Sequence, residues 1–191
     1  RINFCNPYSR RRNNINAIQT TSHMEDSEIQ VLSLRKNDFH MTLVNLYSPN
    51  DKALSLDKIP AEDTHILVVG DFNSHSQSWG YDHLDKRGEE VETWQDDNNL
   101  ILINDPDDLP TFYSRRWHTT STPDLAFATE KVHGKIKREV GNQLGGSDHC
   151  PVHLTLDIQV TTASTTPRWN YKKPTGQHTA ISATNFARTS E

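Results

Sequence analysis

The chain has 191 residues, of which 33% are hydrophobic and 24% charged, and its formal net charge is −5. This length suits one globular domain with a substantial core, and no apolar run approaches the ~20 residues of a membrane-spanning helix. The net negative charge argues against a surface that neutralises a polyanion as a whole, but a local basic track and a metal would still let an enzyme approach phosphate.

The first residues form a polar opening without sustained periodicity. The chain starts at Arg1 without a methionine, and we interpret it as a fragment or processed piece. Residues 1–28 are predicted to be loops with one short element at 15–19. Cys5 and Cys150 lack metal-ligand spacing, which favours a reduced compartment, and no signal-peptide pattern opens the chain.

Two apolar segments around a polar turn follow. Residues 29–34 and 39–46 predict a pair of strands. Pro49 ends the second strand and leaves Tyr47 and Asn50 near the rim of the sheet. Residues 51–64 are polar and are expected to include a short helix.

The most informative stretch is an uncharged aliphatic run that ends in polar residues. Residues 65–69 predict a strand buried on both faces, and Gly70 then allows a sharp turn. If extended geometry continues, Asp71 and Asn73 point to the same side. Such a pair can hold a hard cation, a water or a phosphate-bound nucleophile; an ordinary Asx-turn is the alternative.

A polar loop and a helix come next. The loop at 74–86 carries His75 and His83, whose irregular spacing favours packing or substrate contact over a zinc site. Residues 89–98 predict a short acidic helix with Gly88 at its start, and residues 100–103 predict another short buried strand.

A projecting hairpin carries basic and aromatic side chains. A strand is predicted to begin at residues 110–113, and Arg115, Arg116 and Trp117 follow it. Arginines interleaved with an aromatic suit a DNA groove, because arginine contacts phosphate while tryptophan stacks or wedges. An exposed turn with ordinary surface arginines carries equal weight.

Two further segments deliver ionisable groups. Asp124 is the one charge in the apolar strand predicted at 122–128, so it requires a hydrogen-bonding or catalytic partner. Residues 131–138 are basic and are interpreted as a surface connection. Asp148 and His149 follow a Gly-Gly-Ser loop, which can hold both outside regular strand geometry so that they share one site.

The end of the chain changes in composition. Residues 150–158 alternate between apolar and polar side chains, as in a half-buried strand. From residue 161 onwards threonine, serine, alanine and proline dominate, which predicts a linker or disordered tail.

Together these segments resemble a known family. The motifs Tyr47-Ser48-Pro49-Asn50, Gly70-Asp71-Phe72-Asn73, Pro123-Asp124-Leu125 and Gly146-Ser147-Asp148-His149-Cys150-Pro151 resemble, in order, those of the endonuclease/exonuclease/phosphatase superfamily. Within it the chain is most similar to the apurinic-type endonuclease domains of non-LTR retrotransposons, on motifs that include Trp79-Gly80, Arg87-Gly88 and Pro110-Thr111-Phe112. Motifs in family order are far more specific than any one alone.

The resemblance implies an α/β fold with four layers, in which two packed mixed β-sheets are flanked by helices. It implies an endonuclease/exonuclease/phosphatase-like domain at residues 1–160 that is incomplete at its amino terminus, followed by the tail at 161–191. It further implies metal-dependent hydrolysis of phosphodiesters, with nicking of double-stranded DNA for retrotransposition, Mg²⁺ or Mn²⁺ as cofactor, and a reverse transcriptase downstream. An intracellular location, nuclear or cytoplasmic, and no membrane association are expected.

The resemblance also assigns roles to residues. Its catalytic set is Tyr47, Asp71, Asn73, Asp124 and His149. Its metal set is Asp148 with Asp71 and Asn73, and its DNA-binding set is Asn50, Arg115, Arg116 and Trp117. His149, oriented by Asp124, would contact the scissile phosphate or help to activate water, while Asp71 and Asn73 would position that water.

One expected ligand is missing from this pattern. In the family, strands upstream of residue 29 supply a metal-binding glutamate, and neither Glu25 nor Glu28 stands in the matching context. We therefore expect residues 1–191 alone to cleave DNA poorly or not at all with magnesium. The alternatives are a catalytically impaired DNA-binding domain and a phosphoinositide or sphingolipid hydrolase of the same superfamily; the latter is disfavoured because Asp124 lacks the Cys-Asp-Arg context typical of inositol phosphatases.

Overall fold

The structure is a computed structural model that describes residues 16–23, 27–36, 38–60, 63–142 and 146–157. Its strands are β1 (Asn16–His23), β2 (Glu28–Lys36), β3 (Phe39–Tyr47), β4 (Ile66–Asp71), β5 (Leu100–Leu102), β6 (Phe112–Ser114), β7 (Thr119–Ser121), β8 (Asp124–Thr129), β9 (Ile136–Val140) and β10 (Val152–Leu156). Its α-helices are α1 (Lys86–Asp97) and α2 (Glu130–His133), and 3-10 turns occur at Leu56–Lys58 and Gln77–Trp79. None of these helices is long and apolar enough to cross a membrane.

The largest sheet has the strand order β1-β2-β3-β4-β8-β5. It is mixed, because β3 and β4 run parallel while their other neighbours pair antiparallel. The predicted strand pair at 29–34 and 39–46 is confirmed. The short element predicted at 15–19 falls within β1, which continues to His23 and pairs with β2 along its whole length, so the prediction of a loop is wrong for residues 20–23. A polar edge strand depends on backbone pairing and lacks a periodic apolar face.

Apolar side chains alternate between the two faces of this sheet, as the two-residue period of a strand requires. On one face they pack beneath α1, through Val44, Leu46, Val68, Phe72, Val91, Trp94 and Phe127. On the other face they pack towards α2 and the β9–β10 pair, through Met41, Leu67, Val69, Ala126, Ala128, Val132 and Leu154. The central strand is therefore buried on both faces, as predicted.

The segment at 131–138 is not the surface connection that its basic composition suggests. It contains most of α2 and the start of β9, and the Arg138 side chain is only 3% exposed. Arg138 pairs with Asp108 at 2.6 Å, across 30 residues of sequence. Its guanidinium and the aliphatic side chains of both sheets line a cavity of about 320 Å³ that also reaches Asp124.

Helix α1 begins earlier than predicted. Asp85 caps it by accepting a hydrogen bond from the Gly88 backbone N–H, so Gly88 lies within the first turn. A side chain there would overlap the carbonyl oxygen of His75. The glycine therefore serves close packing of the helix against the preceding loop.

The mixed α/β architecture, with several sheets and few helices, agrees with the predicted fold class. The β9–β10 pair lies against one face of the main sheet, and α1 lies against the other. The tail predicted at 161–191 lies outside the described residues.

Replacing Gly70 with alanine is expected to destabilise the fold by about 3 kcal/mol or more, because the new Cβ would overlap the carbonyl oxygen of Leu46 on the neighbouring strand. Chemical unfolding measures the loss. Gly134→Ala is the matched control: open space surrounds that position, and a change within about 1 kcal/mol is expected. Equal stability of the two variants would contradict the packing described for β4.

Candidate active site

Three strands of the main sheet bring polar residues to one edge. Tyr47, at the end of β3, pairs in register with Asp71, and Asp71 pairs with Asp124 at the start of β8. Because β8 runs opposite to β4, its first residue lies beside the last residue of β4. Cross-strand partners share a face, with Cβ atoms about 5 Å apart. The two carboxylates therefore lie side by side on the face towards β9–β10.

His149 completes this row of polar groups. Its Nδ1 donates to Asp124 Oδ2 at 2.9 Å, and the imidazole packs edge-on against Phe112 with ring centroids 5.0 Å apart. A carboxylate only accepts, so the proton lies on Nδ1 and leaves Nε2 available to another partner. The side chains of His149 and Asp124 are 22% and 9% exposed. This is an oriented imidazole with limited access to solvent.

The charges at the site shift one another. Burial, followed by the nearby charge of Asp124, raises the pKa of Asp71 from 3.8 to about 6. The hydrogen bond that His149 donates to Asp124 raises the pKa of the imidazole, and the charges of Asp124 and Asp71 act in the same direction. Strongly shifted carboxylates are typical of functional sites, because a site built only for stability avoids pairing like charges.

The backbone conformation that brings Asn73 next to Asp71 was not predicted from the sequence. Its φ of 46° is left-handed, so the extended geometry assumed for residues 71–73 does not continue. Instead the Asn73 backbone N–H donates to Asp71 Oδ1 at 3.2 Å, and Nδ2 donates to the carbonyl oxygen of Ser48 at 3.0 Å. The loop thus turns back on itself and brings the backbone N–H of Asn73 to the carboxylate of Asp71.

Three of the remaining predicted residues lie near this edge. Tyr47 is 37% exposed, and Asn50 is exposed in the turn that follows. Asp148 is also exposed, and its carbonyl oxygen accepts a hydrogen bond from the Tyr113 N–H at 2.8 Å. Hydrogen bonds thus join His149 to Asp124 and the Asn73 backbone to Asp71, and Asp71 and Asp124 are cross-strand neighbours. The structure shows no contact between the Asp148 carboxylate and these four residues.

The donor set suits a magnesium ion only in part. No group of three or more His, Cys, Asp or Glu side chains in the described ranges is arranged to hold a metal. However, Mg²⁺ is commonly bound through one or two carboxylates, with waters and substrate phosphate completing its shell. The Asp71 carboxylate and the Asn73 amide oxygen are hard oxygen ligands of that kind, and the repulsion between Asp71 and Asp124 would be relieved by a cation.

The β6–β7 hairpin projects basic and aromatic side chains from the site. Trp117 is 68% exposed, and the Arg116 guanidinium lies 4.7 Å from the centroid of its ring. Arg115 donates to the carbonyl oxygen of Gly146, in the loop that leads to His149. The hairpin is therefore tied to the loop that carries the imidazole.

Two residues without a predicted role contribute to the site. Arg87 contacts the backbone on both sides of Asn73, as described below. Tyr81 is hydrogen bonded to Ser121 and to the backbone of Thr122, immediately before the strand that carries Asp124, and burial raises the pKa of its phenol. The sequence did offer a signal for Arg87, because a cation in the first turn of a helix is unfavourable and indicates another role. It offered no comparable signal for Tyr81.

The family comparison matches the part of the chain that carries this site. The sequence model of the family described as endonuclease-reverse transcriptase matches residues 41–153, which is more than half of the chain. These residues include Asp71, Asn73, Asp124 and His149. A search of curated proteins gives no match.

One solved structure shows the same fold, and two others match more weakly. The endonuclease domain of TRAS1, a telomere-specific non-LTR retrotransposon, matches with a TM-score of 0.63 and 23% identity, over 76% of this chain and 81% of that chain. The Xenopus laevis APE2 catalytic domain matches with a TM-score of 0.44 and 17% identity, over 73% of this chain and 57% of that chain. An endonuclease/exonuclease/phosphatase family protein from Bacteroides thetaiotaomicron gives 0.39 and 14%, over 70% and 57%. The chain therefore belongs to the endonuclease-reverse transcriptase family and has the endonuclease/exonuclease/phosphatase fold, which confirms the resemblance of its motifs.

Proposed function

We propose that the chain is a metal-dependent endonuclease that nicks double-stranded DNA for retrotransposition, within a parent protein that also carries a reverse transcriptase. The observation that carries this proposal is the imidazole of His149, held by buried Asp124 beside the carboxylate of Asp71. With this function we also propose an intracellular location, nuclear or cytoplasmic.

His149 is proposed to contact the scissile phosphate. Asp124 fixes the orientation of the imidazole and raises its pKa, which favours the cationic form. A cationic imidazole donates through Nε2 and stabilises the negative charge that develops on the phosphate oxygens. The limited exposure of the pair strengthens that interaction, since fewer waters compete with it.

Asp71 and Asn73 are proposed to position the attacking water. Without a metal the Asp71 carboxyl has a pKa of about 6, so it is mostly ionised at neutral pH and can accept a proton from water. The water oxygen then bonds to phosphorus, the bond from phosphorus to the leaving sugar oxygen breaks, and that oxygen takes up a proton. Mg²⁺ bound by Asp71 and Asn73, with Asp148 nearby, would supply electrostatic stabilisation of the phosphate.

DNA is proposed to lie across the hairpin and the rim of the sheet. Trp117 offers an exposed aromatic surface for stacking or wedging, and Arg115 and Arg116 offer phosphate contacts. Tyr47 and Asn50 are exposed at the same edge as the catalytic groups and would contact the substrate near the scissile bond. A local basic hairpin would allow binding despite the net charge of −5.

Nicking of supercoiled plasmid tests this function. With the chain in excess and Mg²⁺ present, relaxed circles are expected to accumulate slowly, to disappear with EDTA, and to be lost in Asn73→Ala. Asn142→Ala, at an exposed position, should behave as the parent chain.

Three outcomes would contradict the proposal. Nicking that is insensitive to EDTA or to Asn73→Ala would mean that another activity is present. DNA binding without any nicking would favour a catalytically impaired domain. Release of phosphate from phosphoinositides or sphingomyelin-type head groups, without nicking, would favour a lipid hydrolase of the same fold.

A further inference from the structure

Arg87, the second residue of α1, directs all three of its guanidinium nitrogens at oxygen atoms around the site. Nε donates to the carbonyl oxygen of Asn73 at 2.9 Å, and Nη1 donates to that of Lys52 at 2.7 Å. Nη2 donates to the carbonyl oxygen of Phe72 at 2.8 Å and to Ser48 Oγ at 2.9 Å. One side chain therefore joins the loop after β3 to the loop after β4.

The position of this arginine is unfavourable for helix stability. The amino-terminal end of a helix carries a partial positive charge, so a cation in the first turn destabilises the helix. Arg87 forms no ion pair with a carboxylate anywhere in the described part of the chain, whereas its neighbour Lys86 pairs with Glu90. Its contacts with the two loops are the interactions that offset this cost.

These contacts hold Asn73 on several sides at once. Its N–H is bound by Asp71, its carbonyl oxygen by Arg87, and its Nδ2 donates to the buried Ser48. Because the carbonyl of Ser48 can only accept, the amide atom facing it is the nitrogen, and Oδ1 points away from Ser48. The left-handed backbone of Asn73 is unfavourable for a residue with a side chain and persists only where its surroundings fix it.

We propose that Arg87 is a positioning residue for phosphodiester hydrolysis, which fixes the backbone of residues 72 and 73 and thereby the direction of the Asn73 amide oxygen. This inference rests on the proposed function of the site. Arginine suits the task because its planar fork spans separate acceptors, whereas the ammonium of lysine is a single point on a flexible stem.

Single-turnover nicking, with the chain titrated in excess over plasmid, separates positioning from DNA binding. Arg87→Ala is expected to lower the saturating rate about 100-fold and Arg87→Lys about tenfold, since small misplacements of reacting groups have effects of this size. The concentration of the chain that gives half of the saturating rate reports DNA binding, and it should change by less than about twofold. Added methylguanidinium should restore part of the nicking rate of Arg87→Ala, because it can enter the space that the arginine side chain leaves. It should not raise the nicking rate of Arg87→Lys, because the lysine side chain fills that space.

Lys86→Ala is the matched control, because it removes a neighbouring helix charge whose side chain is 89% exposed. It should nick as fast as the parent chain. An Arg87→Ala variant that nicks at the parent rate, or that loses affinity for DNA and keeps its saturating rate, would overturn the positioning role.

Amide hydrogen exchange provides a readout that does not require activity. In Arg87→Lys the Asn73 N–H should exchange at least about tenfold faster, while the amides of β4 and β8 keep their protection. Unchanged exchange at Asn73, or loss of protection throughout the sheet, would overturn the proposal even if the parent chain proved unable to nick DNA. Faster local exchange in a chain that cannot nick would instead retain the role of Arg87 and reject the proposed function.

Discussion

Replacing His149 with alanine is expected to lower the single-turnover nicking rate about a thousandfold, and adding Asp124→Ala to that variant should lower the rate little further. Catalytic residues that act as one unit give such non-additive losses, because removing either member already abolishes their joint effect. The expectation rests on the bond of 2.9 Å from His149 Nδ1 to Asp124 Oδ2. A double-mutant cycle on plasmid nicking measures it.

The matched control is His153→Ala, which removes an exposed imidazole from β10. It should nick at the parent rate. Each variant must first be shown by circular dichroism to be folded at the assay temperature, because His149→Ala leaves the Asp124 carboxylate beside Asp71 without its hydrogen-bond donor. Losses that multiply in the double variant would indicate that the two side chains act separately.

The parts of the fold that could be predicted are those in which the local pattern of apolar residues matches the burial of the strand. The strand at 66–71 begins with an uninterrupted aliphatic run at 66–69, as expected for a strand that is covered on both faces, and the residues that follow Asp124 are similarly apolar. Polar residues placed directly at the ends of such strands lie at the edge of the sheet. Together with the resemblance of the motifs, this position identified Asp71 and Asp124 as candidates.

The parts that could not be predicted depend on partners distant in sequence. Arg138 is buried because Asp108 lies 30 residues away in the chain and opposite it in space, which a local basic pattern cannot reveal. Asn73 turns left-handed because Ser48 and Arg87, from two other segments, hold it. Strand β1 has no apolar period, and its backbone pairing with β2 is what defines it.

Asp71→Asn is expected to stabilise the folded chain at neutral pH while it abolishes nicking. The pKa of Asp71 is raised from 3.8 to about 6 in the folded chain. Between those values the folded chain holds a proton that the unfolded chain has lost, so the stability that this group contributes is complete below about pH 4 and is lost as the pH rises through 6. Asparagine stays neutral and keeps an oxygen that can accept from the Asn73 N–H.

The expected gain follows from the size of the pKa shift. About two pKa units correspond to about 3 kcal/mol, and partial solvent screening reduces the expected gain at pH 7.5 to about 1–3 kcal/mol. At pH 4 the variant and the parent should be equally stable. Urea unfolding in EDTA at the two pH values measures the difference without interference from metal.

Asp107→Asn, in an exposed turn, is the matched control, and its effect should be small at both pH values. A variant Asp71→Asn that is less stable than the parent at pH 7.5 would mean that the Asp71 carboxylate supports the fold through its charge. The close pair of Asp71 and Asp124 would then serve the stability of the fold and would not indicate a catalytic site. A stable and inactive variant would instead indicate that the chain keeps a destabilising carboxylate at this edge of the sheet because hydrolysis requires it.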